Sequence, residues 1–328
     1  MKIYHDQDAH LEFLKDKKIA VIGYGAQGRA QARMLHESGI SVIVGVREGG
    51  KSWDLATEDG LTVMSISNAA AQADIVHILI PDETQKAVYE SDIQQHLKPG
   101  KILSFSHGFN IVFNRIVPPE GVGVIMVAPK CPGTEEYKVY KQGFGVPALV
   151  AVRTDTAEKN ALEVALAMAK AMFFTKAGVI ECTFEQETHE DLFGEQAVLC
   201  GGVTELIKAG FETLTEAGYP PELAYFECMH EMKLIVDLMY EGGMARMWEV
   251  VSNTAEYGGH TRGKRLITPA VKAEMKKILQ EVEDGTFAKE WMAESEQNHM
   301  KGLLKMRQDE SEHPIEIVGA KIRKLFEK

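Results

Sequence analysis

The chain has 328 residues, 45% of them hydrophobic, and a formal net charge of −12. That length supports two domains with cores of their own, and the acidic balance argues against nucleic acid or an anionic membrane as partner. No apolar run approaches the ~20 residues of a membrane span, and the polar start "MKIYHDQDAH" lacks the apolar centre of a secretory signal, so a cytoplasmic location is expected.

Residues 18–152 alternate short β-branched runs with helical stretches. The predicted strands are 18–23, 41–46, 61–64, 74–80, 101–107, 122–128 and 147–152, with helices such as 26–38 and 83–97 between them. Most of these runs are apolar throughout, as strands covered on both faces are. The alternation predicts an α/β Rossmann-type domain over 1–181, with a parallel sheet and right-handed crossovers.

"IAVIGYGAQGRAQ" places Gly23, Gly25 and Gly28 after the first of these strands and at the opening of a helix. Such glycines permit a tight turn, bring the backbone close to a pyrophosphate and let helix pack on strand, while the helix N-terminus faces the anion. Dinucleotide binding is the expectation; a tight turn that binds nothing is the alternative. Cofactor choice is read at the end of the second strand, where "VREGGKSW" offers Arg47, Lys51 and Ser52 in place of a ribose-binding acid. A cation and a hydroxyl suit a 2′-phosphate and favour NADP, unless Arg47 and Lys51 are solvated loop charges. Three polar features fall at later strand ends, where ligands of open sheets bind: "PDETQ" (81–85), His107 and Lys130.

From residue 182 the strand signal disappears and apolar positions recur at helical spacing, so 182–328 is predicted all-α. "GYPPEL" (218–223) ends one helix and starts the next, and "GG" (242–243) and "YGG" (257–259) mark further ends. Four cysteines show neither CxxC nor zinc-ligand spacing; Cys200 and Cys228 are expected to be small core residues. "DLFGEQ" puts Asp191 and Glu195 four apart on a helix face that also carries Phe184, Val198 and Leu199. "YFECMHE" repeats the pattern with Glu227 and Glu231. Four carboxylates on apolar faces are costly to desolvate unless a cation binds them or distant basic residues pair with them. All-oxygen donors suit a hard ion, Mg²⁺ before Ca²⁺ or Zn²⁺.

These motifs, with "SHGFNI", "MVAPKCPGT", "ELAYFECMHEMKLIVDLMYEGG", "TAEYG" and "EHPIEIVG", resemble the ketol-acid reductoisomerases over essentially the full chain, in their short form. The resemblance implies a Mg²⁺-dependent alkyl migration in 2-acetolactate or 2-aceto-2-hydroxybutyrate, followed by reduction with NADPH to the 2,3-dihydroxy acid. It implies two Mg²⁺ ions: Asp191 and Glu195 hold one, and Asp191 bridges to a second held by Glu227 and Glu231 of a partner subunit. By the same resemblance Ser252 contacts substrate, while His107, Lys130 and Glu195 act at the reacting centre. Tyr24, Gly25, Ala26, Gln27, Arg47, Gly50, Ser52, Asp82, Glu83, Thr84, Gln85 and Gly133 match its cofactor positions. A homodimer or higher homo-oligomer is the implied active unit. The chain departs from the commonest pattern at Gly50, where many short-form members carry a serine that contacts the 2′-phosphate, so NADH use is also expected. Two rival readings are a metal-independent Rossmann dehydrogenase of another small hydroxy or imino acid and a non-catalytic NADP(H)-binding regulator.

Overall fold

The computed structural model describes residues 1–326. The chain divides into two compact units, Met1–Glu190 and Asp191 onward. In the first, β1 (Ile3–Tyr4) precedes β2 (Lys18–Ile22), α1 (Ala26–Glu37), β3 (Ser41–Gly45), α2 (Lys51–Glu58), β4 (Thr62–Met64), α3 (Ile66–Gln72) and β5 (Ile75–Ile78). Then come α4 (Asp82–Val88), β6 (Ile102–Phe105), α5 (Phe109–Val112), β7 (Gly123–Pro129), α6 (Gly133–Lys141), β8 (Ala148–Thr154), α7 (Ala161–Ala171), α8 (Phe174–Ala177) and β9 (Val179–Glu181). All seven predicted strands form, within two residues of their expected ends.

The nine strands lie in the order β1-β9-β8-β7-β6-β5-β2-β3-β4. Strands β2 to β7 are mutually parallel, and the order reverses between β2 and β5, which pair directly. That reversal is the topological switch point at which open α/β sheets bind ligands. The expected parallel sheet forms, extended on one side by strands of mixed direction: β8 runs antiparallel to β7, and β1 antiparallel to β9. An apolar run carries no sign of its direction, and strands of two or three residues show no periodicity.

Alternate strand residues feed two cores, one per sheet face. Ile19, Val21, Val44 and Ile125 pack with Met34, Leu35 and Met168 on one side. Ala20, Ile22, Ile43 and Leu103 pack with Ala69, Tyr89 and Ile93 on the other. Each such fully buried aliphatic side chain contributes about 1.5–3 kcal/mol, so the sheet is a rigid base for the loops at its carboxyl edge.

Helix α9 (Phe184–Gly194) leads out of the first unit. After it come α10 (Gly201–Glu216), α11 (Pro221–Tyr225), α12 (Met232–Val250), α13 (Asn253–Leu266), α14 (Pro269–Glu283), α15 (Thr286–Glu296), α16 (Lys301–Glu312) and α17 (Pro314–Arg323). Among the described residues no strand follows Glu181, and no helix is long and apolar enough to cross a membrane. Pro221 opens α11 as expected, and Gly243 (φ +79°) kinks α12. "YGG" ends nothing, because α13 runs straight through it. A side chain at Gly259 would lie 2.5 Å from the Trp248 ring, so this glycine serves close packing. The apolar neighbours of the acid pairs are also less buried than expected: Val198 is 50% exposed, Leu199 72% and Leu223 60%. Cys200 is exposed as well, contrary to the core role expected of it.

Candidate active site

The three glycines of the first turn have three separate reasons. Gly23 adopts φ +103°, and a Cβ there would stand 2.7 Å from Ile80 Cγ2. At Gly28 a Cβ would meet the Gly23 carbonyl at 2.4 Å, so helix and strand close only on glycine. Around Gly25 the space is open, which leaves the backbone at the head of α1 accessible to a phosphate. Tyr24 sends its side chain inward: its hydroxyl donates to Asp59 Oδ2 at 2.7 Å. Arg29 grips the same carboxylate through Nε (2.7 Å) and Nη2 (3.0 Å) and holds its pKa below the usual value. Burial pushes the Tyr24 hydroxyl up. Asp59 thereby ties the end of α2 to the turn.

A cleft of about 960 Å³ opens over this turn at the switch point. Of the predicted cofactor residues, Tyr24, Gly25, Ala26, Gln27, Arg47, Gly50, Ser52, Asp82, Thr84 and Gln85 line it, together with His107. Glu83 and Gly133 do not. Gly133 instead abuts the turn from behind, where a Cβ would sit 2.5 Å from the Gln27 nitrogen. Lys51, read from sequence as a candidate phosphate cation, also lines it, as does Ser106, which sequence reading did not single out. Gly50 is the N-cap of α2 and provides no side-chain cap, so the first amides of α2 lack the usual hydroxyl acceptor. Asn110, itself buried, fixes the far wall by donating to the Asp82 carbonyl and to Gln85 Oε1, both at 3.0 Å.

His107 follows β6, and its Nδ1 lies 3.0 Å from Glu187 Oε1. The other Glu187 oxygen accepts from the Gly108 N–H at 3.0 Å. A side chain at Gly108 would clash with Thr188 Oγ1 at 2.2 Å, so glycine is what lets α9 lie this close. Glu187 is 2% exposed. Sequence reading missed it, since one acid in "TFEQETHED" resembles any solvated helix charge. Lys130, one residue past β7, has its Nζ 2.6 Å from Glu190 Oε1.

In the second unit, Asp191 lies on the last turn of α9, and Glu195 opens a π-helical turn, Glu195–Leu199. The Cys200 N–H donates to the Glu195 carbonyl at 3.0 Å, an i to i+5 bond. Glu227 lies in a second π turn, Phe226–His230, closed by the Glu231 N–H on the Phe226 carbonyl at 3.0 Å. One acid of each pair, Glu195 and Glu227, therefore lies in a widened helical turn, a feature concentrated at functional sites. Glu227 and Glu231 form no ion pair among the described residues. Carboxylate-only donor sets fit Mg²⁺. Ser252 is the exposed N-cap of α13, its Oγ accepting from the Ala255 N–H at 3.2 Å.

Residues 13–178 match the family model for the NADPH-binding domain of acetohydroxy acid isomeroreductase, and 184–328 match that for the C-terminal domain of ketol-acid reductoisomerase. A ketol-acid reductoisomerase (NAD(+)) of uncultured archaeon GZfos26G2 is 60% identical, with 99% of each chain covered. A ketol-acid reductoisomerase (NADP(+)) of Methanosphaera stadtmanae is 58% identical, covering 98% of this chain and 97% of its own. The solved structure of an NADH-preferring ketol-acid reductoisomerase from an uncultured archaeon superposes with a TM-score of 0.96, at 59% identity and full coverage of both chains.

Proposed function

The chain belongs to the ketol-acid reductoisomerase family, and on that premise we propose how its residues share out the reaction. It is an oxidoreductase of branched-chain amino-acid biosynthesis that turns acetohydroxy acids into 2,3-dihydroxy acids. The observation that carries the reading is the cleft at the switch point, where the open backbone of Gly25, the Asp82–Gln85 segment and His107 share one wall system. In it the head of α1 would hold the diphosphate of an NAD(P)H.

When bound, NAD(P)H would supply the hydride, and two Mg²⁺ ions, which Asp191, Glu195, Glu227 and Glu231 would hold, would supply charge neutralisation. The chain's own groups do the rest. Glu195 carries a proton to or from the substrate oxygen, and Lys130 offers positive charge where an alkoxide develops. His107 is held in one orientation by Glu187, and the Ser252 hydroxyl keeps its proton free to donate to substrate while its oxygen caps α13. The exposed Val198, Leu199 and Leu223 beside the acid pairs support a homodimer in which each chain supplies part of one metal cage.

Arg47, Lys51 and Ser52 support NADPH as cofactor. Gly50 removes one hydroxyl from the 2′-phosphate environment and so makes NADH a working second donor. Relatives of both preferences are consistent with that division. The test is cofactor oxidation with 2-acetolactate, with and without Mg²⁺, running NADPH and NADH in parallel. Asp191→Asn is expected to abolish both isomerisation and reduction, and retained isomerisation would refute the two-metal assignment.

A further inference from the structure

Helix α6 carries a buried carboxyl for which the reaction has no use. Its buried residues are Gly133, Glu136 and Tyr140, the face turned toward α1. Gly133 touches the backbone of Ala26 and Gln27, and the Tyr140 hydroxyl lies 3.1 Å from Ser38 Oγ just past the end of α1. The two helices therefore run parallel, with their N-termini side by side beneath the dinucleotide turn. Both positive dipole ends converge where a diphosphate would bind.

Glu136 stands on this face one turn beyond Gly133 and is 1% exposed. Neither of its carboxyl oxygens has a hydrogen-bond partner among the described residues. The amides of Gln31 and Gln27 are near enough to favour its charged form weakly, without a hydrogen bond of normal geometry. Gln27 lines the cleft, and Gln31 continues inward to His77 Nε2 (2.8 Å) and Ser106 Oγ (3.2 Å), the latter also at the cleft wall. Charged groups on the surrounding elements have other partners. Arg29 holds Asp59, Arg33 lies over the Tyr137 ring at 4.0 Å, and Glu37 accepts from Tyr137 and Lys141. Glu135 points to solvent, His36 lies in the last turn of α1, and Tyr140, Cys131 and His77 are further titratable neighbours. A buried charge with no counter-ion is costly, so the group resides there as the neutral acid.

We infer that Glu136, as the un-ionised acid, is a positioning residue for the dinucleotide turn, and that its ionisation lowers the affinity of the cleft for a dinucleotide. The inference rests on the cleft being the NAD(P)H site. A negative charge behind the first turn of α1 cancels the field of the two helix ends and draws the Gln27 amide away from the ligand. Burial pushes the carboxyl up to about 8, which puts the change within reach of an ordinary titration. His77 is lowered by burial to about 4 and the Cys131 thiol raised to about 12, so neither changes charge in that range.

The experiment is NADH binding followed by fluorescence from pH ~7 to ~9.5, with the wild-type protein, Glu136→Gln and Glu136→Met. NADH is chosen because it lacks the titrating 2′-phosphate. The wild type is expected to weaken about ten-fold over the range, and both variants to stay flat. An alkaline loss of equal size in the variants overturns the proposal. No NADH binding at neutral pH overturns the cleft assignment and the proposal with it. Infrared difference spectra of the wild-type protein give a reading that needs no variant. A protonated carboxyl band that disappears over the same pH range as binding supports the inference, and its absence at neutral pH contradicts it.

Discussion

Two buried glutamates in the first unit meet opposite solutions to the same desolvation problem. Glu187 has its charge met by the Gly108 amide and the His107 ring, whereas Glu136 has no partner of normal geometry. Glu187→Gln keeps the shape and loses the carboxylate that orients His107. Turnover is expected to fall on the order of 100-fold with KM for cofactor little changed, and an unchanged kcat would remove His107 orientation from the account. Glu136 makes a stability prediction of its own. Unfolded, it releases its proton at the ordinary 4.5; folded, at about 8. Between those values the native state holds a proton that the unfolded state has lost, so stability falls as pH rises through that window and the penalty is complete above it. Melting temperatures measured across pH are expected to show this decline in the wild type and a shallower one in Glu136→Gln.

Among the elements, the π turns tie sequence most closely to the proposed metal ligands. In "EQAVLCGG" a Cβ at Gly201 would lie 2.2 Å from the Gln196 carbonyl oxygen, and one at Gly202 2.1 Å from that of Ala197. The widened turn brings those carbonyls over the glycines, so the glycine pair is a condition of the turn that carries Glu195. Gly202→Ala is expected to cost about 1–3 kcal/mol and to weaken Mg²⁺ binding together with melting temperature. Full Mg²⁺ affinity in that variant would separate the ligand geometry from the turn. The acid spacing was legible in sequence because four residues return to the same face in either kind of turn. The π turns were not, since an i to i+5 bond leaves no composition signal. Similarly, the Gly23–Gly28 turn is legible because its chemistry is local, while the antiparallel β8 and the Glu187 contact depend on residues far apart in the chain. "YGG" misled because glycine serves a helix stop and a close ring contact equally well.

On the scale of the whole molecule, the apolar residues exposed beside the acid pairs support a second chain as partner. Val198, Leu199 and Leu223 flank the acid pairs, and a charged substitution such as Leu199→Glu is expected to shift sedimentation toward monomer and to reduce activity with it. A variant that stays fully associated would dissociate this surface from the proposed dimer. The central claim is that one chain joins a dinucleotide cleft to a magnesium-dependent acetohydroxy-acid site. The most direct test is consumption of NADPH, and in parallel NADH, with 2-acetolactate in the presence and absence of Mg²⁺. The account predicts turnover with both donors, faster with NADPH, and none when Mg²⁺ is removed. Undiminished turnover without Mg²⁺, or bound cofactor that is never oxidised at saturating Mg²⁺, would contradict it.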